Sequence, residues 1–364
     1  MKDQIFKRRK TRIIKIGNLL IGGGNPISIQ SMTKTDTRDI ESTVQQINKL
    51  ADAGCEIIRI AVPDEEAGKA LFKIVPKSPI PVIADIHFNY KLALIAIEAG
   101  VDGLRLNPGN ISDSKKVEKV VSSAKGKGIP IRIGVNAGSL PKDLLQKIED
   151  GLMTTSEAMV EAANRHIKIL EDLDFLDIKI SLKASDVPTT ILAYRLMAKQ
   201  CNYPFHSGIT EAGTLKSGII KSSIGLGILI TEGLVDTMRV SLTAEPVEEI
   251  RAAKKILESL GLRKSLGEVV SCPTCGRISI NLLPIAEAIE KMIEEIQIPL
   301  KVAVMGCEVN GPGEAKDADI GVAGGKGVGV IFKKGKIIKK VPENKILDVI
   351  KEEINKFINE YAKK

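Results

Sequence analysis

The chain is 364 residues long, too long for one average domain and long enough for a barrel of about 250 residues with a smaller domain attached. The net charge of +8 leaves electrostatic binding to nucleic acid open, but with no tryptophan and only four tyrosines the chain is poorly equipped for base stacking. The opening MKDQIFKRRKTR carries charge with no apolar core behind it, and no stretch reaches the roughly eighteen apolar residues of a membrane span. A cytoplasmic protein with no membrane partner is expected.

In chain order, apolar and β-branched runs occur at PISIQSM (26–32), CEIIRIAV (55–62), IPVIADIHF (80–88) and VDGLRLNPG (101–109). They continue at IPIRIGVNAG (129–138), FLDIKISLKAS (175–185), YPFHSGITEAG (203–213) and VDTMRVSLTA (235–244). Between them lie stretches with helical spacing, such as TVQQINKLADAG and EEIRAAKKILESLG, both ending in the glycine expected at a helix C-terminus. Eight strand-then-helix units mean a closed parallel barrel or a doubly wound sheet. No Gly-x-Gly-x-x-Gly follows the first strand, which disfavours dinucleotide binding and leaves a TIM (β/α)8 barrel over residues 1–262 as the expected α/β fold. In KSSIGLGILITEG, Gly225 and Gly227 either open a helix whose N–H groups face an anion or punctuate a loop.

Residues 263–364 read as a smaller mixed α/β domain, reached by a linker at about 261–270. An amphipathic helix at PIAEAIEKMIEEI precedes a strand, KVAVMGC, that delivers Cys307 at its end. ADIGVAGG and GVGVIFKKGKIIKKV add strands, the latter with a hairpin turn at Lys334-Gly335, and a charged helix, NKILDVIKEEINKFINEYAKK, closes the chain.

The polar residues in the barrel runs form a pattern. In order they are Gln30 and Ser31, Arg59, Asp85 with His87, Arg105 with Asn107, Arg132 with Asn136, Lys183 with Ser185, His206 with Glu211, and Arg239 with Ser241. Active sites of such barrels are built at the C-terminal ends of the strands. Any one of these residues is ordinarily a solvated strand end. Five cations around one mouth repel one another unless an anion sits between them, and the arginine fork matches phosphate oxygens. A phosphorylated small substrate is expected.

Five cysteines remain. Cys55 and Cys201 stand singly beside apolar runs and read as packing residues, whereas Cys272 and Cys275 form SCPTCGR, a tight ligand-presenting loop. Cys307 opens CEVNGPGEA, where Gly-Pro-Gly breaks helix and strand alike and folds Glu314 back towards the cysteine. Three readings of the cysteines stay open. An iron–sulfur cluster suits three thiolates and a displaceable oxygen ligand. A structural zinc normally asks for four Cys or His ligands, and no histidine follows residue 206. A plain surface loop is the third. A zinc-stabilised basic nucleic-acid-binding protein, drawing on the run KRRKTR (7–12), is the alternative function.

Ten ordered blocks then carry a resemblance: RRKTRIIKIG, GGNPISIQSMTKTDT, ADIHFNY, GLRLNPGN, RIGVNAGSL, KISLKASDV, YPFHSGITEAG, DTMRVSLT, CPTCGR and MGCEVNGPGEA. Together they resemble the bacterial 4-hydroxy-3-methylbut-2-enyl diphosphate synthases of the methylerythritol phosphate route to isoprenoids. The resemblance implies a barrel followed by a cluster domain, with a 4Fe–4S cluster on Cys272, Cys275, Cys307 and Glu314. It implies reductive opening and dehydration of methylerythritol cyclodiphosphate, with a ferredoxin or flavodoxin as electron donor. By motif, Arg59, Arg105, Arg132, Lys183, Arg239 and Ser241 hold the diphosphate, and Asp85, His87, Asn107 and Asn136 the carbon skeleton. Glu211 is the proton donor, and a homodimer shares its active sites between subunits. Two positions depart from the family's pattern. Glu308 follows Cys307 where an apolar residue is expected, and Lys34 stands where asparagine is usual.

Overall fold

The computed structural model describes residues 6–111, 113–294, 296, 298–307, 315 and 317–362, and the chain divides into two compact units, Met1–Leu260 and Gly261–Lys364. The turn at 310–313, Glu308 and Glu314 lie outside the described residues.

The first unit opens with a hairpin that the sequence reading did not anticipate, Ile14–Ile16 (β1) against Leu19–Ile21 (β2). Eight parallel strands follow: Ser28–Met32 (β3), Ile57–Ala61 (β4), Val82–Asp85 (β5), Gly103–Arg105 (β6), Ile131–Asn136 (β7), Ile178–Lys183 (β8), His206–Ser207 (β9) and Thr237–Met238 (β10). Their order, β8-β7-β6-β5-β4-β3-β10-β9, is closed by a parallel bridge from Ile180 to Phe205, so the expected barrel is formed. The last two strands are far shorter than their sequence runs.

Alternation along each strand sorts the side chains. Ile58 and Ile60, Val82 and Ala84, Ile131 and Ile133, and Ile178 and Ile180 belong to the large core shared with the helices. The other set faces the lumen, where Ile57 and Ile83 pack on Ile14, Ile16 and Ile21 of the hairpin and seal the lower end. Helices begin where short polar side chains accept the free N–H groups of a first turn, at Asp39, Asp64, Asn89, Asp113 and Asp186, with a full capping box from Thr154 and Glu157. The expected glycine stops occur, with Gly54 and Gly261 at φ 101° and 68°.

Two expectations are corrected here. Gly225 and Gly227 neither open a helix nor break a loop, because both lie inside the helix Leu215–Thr231. At Gly225 a Cβ would stand 2.6 Å from Ile209 Cδ1, so the missing side chain lets the helix close on the loop after β9. Within the basic run KRRKTR, Arg8 and Arg9 are also not free for nucleic acid, although Lys7, Lys10 and Arg12 are exposed. The Arg8 guanidinium pairs with Asp236 at 2.7 Å and donates to the carbonyls of Asn25 and Val235. Arg9 lies over the Phe205 ring at 3.9 Å and donates to the carbonyls of Cys201 and Tyr203. Both arginines hold the N-terminal segment against the entries to β9 and β10.

The second unit is a five-stranded sheet, Gly267–Ser271 (β11), Leu300–Met305 (β12), Ile320–Gly325 (β13), Val328–Lys333 (β14) and Lys336–Pro342 (β15), in that order. The first three strands are parallel and the last two antiparallel. The linker is therefore shorter than expected, because Gly267–Ser271 pairs residue for residue with β12. Lys334 and Gly335 make the anticipated hairpin turn, both with positive φ. The helices Leu282–Ile293 and Ile346–Ala362 cover one face through Ile285, Ile289, Ile350 and Ile354 against Val302, Val304 and Val322.

Candidate active site

The lumen above Ile57 and Ile83 is polar, unlike the branched aliphatic filling usual in such barrels. Adjacent strands place Asp85 beside Arg105 and Arg105 beside Arg132, then Arg132 beside Lys179 and Asn136 beside Lys183. Paired residues of neighbouring parallel strands project from the same face, so one curved wall carries the row. Arg59 reaches Asp85 at 3.5 Å and sets its guanidinium nitrogens 2.9 and 3.2 Å from the Met32 sulfur. Arg105 also stands 3.5 Å from Asp85. Burial pushes the Asp85 pKa up, but Arg59, Arg105 and Arg132 outweigh it and hold the carboxyl below its ordinary value. Arg132 comes from lower on its strand than its sequence run suggests, and only 4% of it is exposed.

On the helix-facing side of β3 and β10 the helix Pro246–Ser259 presents Glu249, which accepts from Ser31 Oγ at 3.0 Å and from the Leu242 N–H at 3.1 Å. The same carboxylate meets Arg239 at 3.4 Å. Lys183 Nζ stands 3.4 Å from His206 Nε2, whose ring partner Nδ1 is 2.9 Å from Thr237 Oγ1. Burial first, then Lys183 and Arg132, press the His206 pKa far down, so its ring is neutral.

The rim is built from loops. Arg105 touches His87 Nδ1 at 3.1 Å, and burial, then Arg105, lowers the His87 pKa. Asn107 gives both ends of its amide to the backbone of Gly134, at 2.9 Å each, which keeps one N–H and one lone pair for a ligand. Position 134 must be open, since a Cβ there would meet Arg105 Nε at 3.1 Å. Asn136 and Ser241 are half-buried at the ends of β7 and just beyond β10. Ser185 contributes its carbonyl to Lys221 Nζ. Glu211 is exposed at φ 50°, in the left-handed region that disfavours side chains. Such backbone strain concentrates at functional positions. Lys34 ties its loop to the Ala244 carbonyl.

In the second unit, Cys272 follows β11 and Cys307 lies just beyond β12, so parallel pairing brings their backbones side by side. The Gly306 N–H points at Cys272 Sγ at 3.2 Å. The N–H and guanidinium of Arg277 hold the Cys275 thiol below its ordinary pKa, towards the thiolate that binds metals. Arg277 in turn feels the charge of Cys275, Cys307 and Cys272. Among the described residues no three His, Cys, Asp or Glu side chains close on one ion. Cys55 is buried and Cys201 half-buried against the barrel core, in the packing roles expected of them.

The profile of the GcpE TIM-barrel domain matches residues 11–254, and that of the GcpE protein C-terminal domain matches residues 268–356. The chain belongs to the GcpE family. A Geobacter sulfurreducens relative named 4-hydroxy-3-methylbut-2-en-1-yl diphosphate synthase (flavodoxin) is 58% identical over 97% of this chain and 99% of its own. Relatives of the same name from Thermodesulfovibrio yellowstonii and Bacillus subtilis are 56% and 55% identical, over 97% and 99% of this chain and 100% and 95% of theirs. Among solved structures, Yersinia pestis dihydropteroate synthase matches with a TM-score of 0.45 and 12% identity, over 68% of this chain and 97% of its own. Nothing about the site follows from that likeness.

Two polar groups of this GcpE barrel escape sequence reasoning. Glu249 sits in an ordinary amphipathic helix, and only its 2% exposure and its three partners on two other segments mark it out. Lys179 in DIKISLK alternates with apolar residues, and that alternation is the signal that it shares a face with Lys183.

Proposed function

We propose that the chain reductively opens and dehydrates 2-C-methyl-D-erythritol 2,4-cyclodiphosphate to 4-hydroxy-3-methylbut-2-enyl diphosphate. The observation that carries this is identity above half, from end to end, with relatives named for that product. The lumen supports it independently, because its cations outnumber its carboxylates and suit a diphosphate. In this reading Arg59, Arg105, Arg132, Lys183, Arg239 and Ser241 hold the diphosphate, while Asp85, His87, Asn107 and Asn136 orient the carbon skeleton. The reaction consumes two electrons and one proton, breaks the carbon–oxygen bond of the ring and releases water. Glu211, strained outward on its loop, supplies the proton to the departing hydroxyl.

Cys272, Cys275, Cys307 and Glu314 would hold a 4Fe–4S cluster. When bound, the cluster supplies electrons singly, which side chains cannot do. Arg277 lies within the field of all three thiols, and three thiolates with one displaceable oxygen ligand suit an iron–sulfur cluster. The relatives' names specify flavodoxin, and we assign this chain the same class of electron donor, in the cytoplasm. Iron and acid-labile sulfide in anaerobically purified protein test the reading. About four irons per chain with turnover of the cyclodiphosphate is expected. One tight zinc and no sulfide would overturn it.

The working unit in this reading is a homodimer whose sites each combine one chain's barrel with the other's cluster. The helix Pro246–Ser259 runs against the strands and so ends away from the mouth, and residues 260–266 span at most about 25 Å before β11. A partner's mouth in a twofold dimer is easier to serve than the chain's own. Mixed dimers of Glu211→Gln and Cys275→Ser chains, each inactive alone, should recover about a quarter of normal activity. Mixed dimers that form and stay dead would refute the sharing.

A further inference from the structure

The lumen holds six basic side chains, Arg59, Arg105, Arg132, Lys179, Lys183 and Arg239, against the carboxylate of Asp85, with Glu249 meeting Arg239 from the helix-facing side of the strands. Lys179 is the deepest of them on β8, two residues below Lys183 on the same face and directly beside Arg132. It is 1% exposed, Arg132 4% and Lys183 8%. Its Nζ has no hydrogen-bond partner among the described residues. The groups facing it are Arg132 on β7 and Arg59 on β4, both cationic, and Asp236 ahead of β10, whose carboxylate is already paired with Arg8. Facing Lys183 are Arg132, Arg239 and Arg59, opposed by Glu249, with the neutral His206 ring alongside.

So many buried positive groups cannot all keep their protons without an anion among them. A guanidinium does not give up its proton under these conditions, whereas a buried lysine does. The shortage of negative charge therefore falls on the two lysines. Burial, followed by Arg132, pushes both of them far below the ordinary lysine range.

We propose that the barrel takes up a proton from solvent when its diphosphate ligand binds, and that Lys179, though below the ligand, is one of the amines that receives it. The inference rests on the cyclodiphosphate reading above. Binding brings anionic charge to the mouth, and each amine converts to an ammonium by adding one solvent proton. Ring opening then adds a further negative charge to the diphosphate, so the protonated lysines match a group that grows more anionic as it reacts. Lys179 acts through the charge of the lumen as a positioning residue.

Isothermal calorimetry of the cluster-loaded enzyme with the cyclodiphosphate, without reductant so that no turnover occurs, tests this. Titrations run at neutral pH in buffers of different ionisation enthalpy. Each ligand phosphorus carries one ester and the shared anhydride bond, so neither phosphate titrates near neutrality and any proton count belongs to the protein. The wild type should bind about one proton per site, and its Kd should tighten up to about tenfold for each pH unit lowered. Lys179→Met should still bind but take up clearly fewer protons, with a flatter pH dependence. Binding heat that does not vary with buffer, or uptake unchanged in Lys179→Met, overturns the proposal and leaves the substrate assignment standing. No binding of the cyclodiphosphate in any buffer overturns the substrate assignment, and the proposal with it.

Discussion

Glu249 offers the sharpest test of how this barrel is held together. Its carboxylate is 2% exposed and serves Ser31 Oγ, the Leu242 N–H and the Arg239 guanidinium at once. Glu249→Leu removes the acceptor that all three share and leaves Arg239 only its 3.7 Å contact with the Met32 sulfur, a loss of about 3–5 kcal/mol by the usual cost of breaking a buried charged contact. For a unit of this size each kcal/mol moves the melting temperature by about 2–4 °C, so a fall of roughly 6–20 °C is expected. Glu249→Gln keeps one oxygen for the Leu242 N–H and turns an NH2 towards Ser31 Oγ, which can accept, so chiefly the Arg239 contact is lost. That change should cost about 1.5–3 kcal/mol, or roughly 3–12 °C. Thermal unfolding followed by circular dichroism reads both, and steady-state kinetics should show KM for the cyclodiphosphate altered as Arg239 loses its anchor. If the leucine variant melts within about a degree of wild type, the carboxylate is not the buried tie described here. Equal losses for glutamine and leucine would show that the neutral contacts contribute nothing.

Glu211→Gln should retain iron content and ligand binding yet lose turnover by roughly a hundredfold, the usual scale of general-acid help, and near-normal turnover would refute its role. Glu308→Val should leave the cluster absorbance and activity intact while Glu314→Ala disturbs both, because the family resemblance assigns the oxygen ligand to Glu314 alone; the reverse result would exchange their roles. His166 accepts the Gly109 N–H through Nδ1 at 3.0 Å, and burial, then Arg105 and Arg165, brings its pKa down to about 4. The unfolded value lies higher, near 6.5, so this contribution is whole above about 6.5 and declines as the pH falls towards 4, by about 3 kcal/mol at most. In denaturant melts across that window His166→Gln, which keeps an acceptor but cannot titrate, should flatten the acid decline; an unchanged slope would clear His166 of it.

The succession of strands and helices was legible because its signals are local. Alternating Ile and Val runs, Asp and Thr caps and glycine stops each act within a few residues. The same alternation that makes β7 and β8 strands also puts Arg132, Lys179 and Lys183 on one face, so part of the cationic lumen could be read before any fold was drawn. The cysteine loop announced itself through Cys-x-x-Cys spacing and the strand that carries Cys307. The hairpin at 14–21 was missed because two three-residue strands are too short for a periodic signal.

What only the tertiary structure decided is which charges meet. Ser31 and Glu249 are 218 residues apart, and Arg8 and Asp236 are 228 apart. Nothing local distinguishes a buried glutamate in an amphipathic helix from a solvated one, or a basic run that ties down the N-terminal segment from one that awaits nucleic acid. Gly225 and Gly227 looked like breakers for the same reason. At Gly225 the reason lies in Ile209, a residue on another segment that fills the space a side chain would occupy, whereas Gly227 faces open space. Local sequence sets the conformations each segment can adopt with little strain. Pairing and burial depend on distances between segments, and closure of the barrel brings those segments together.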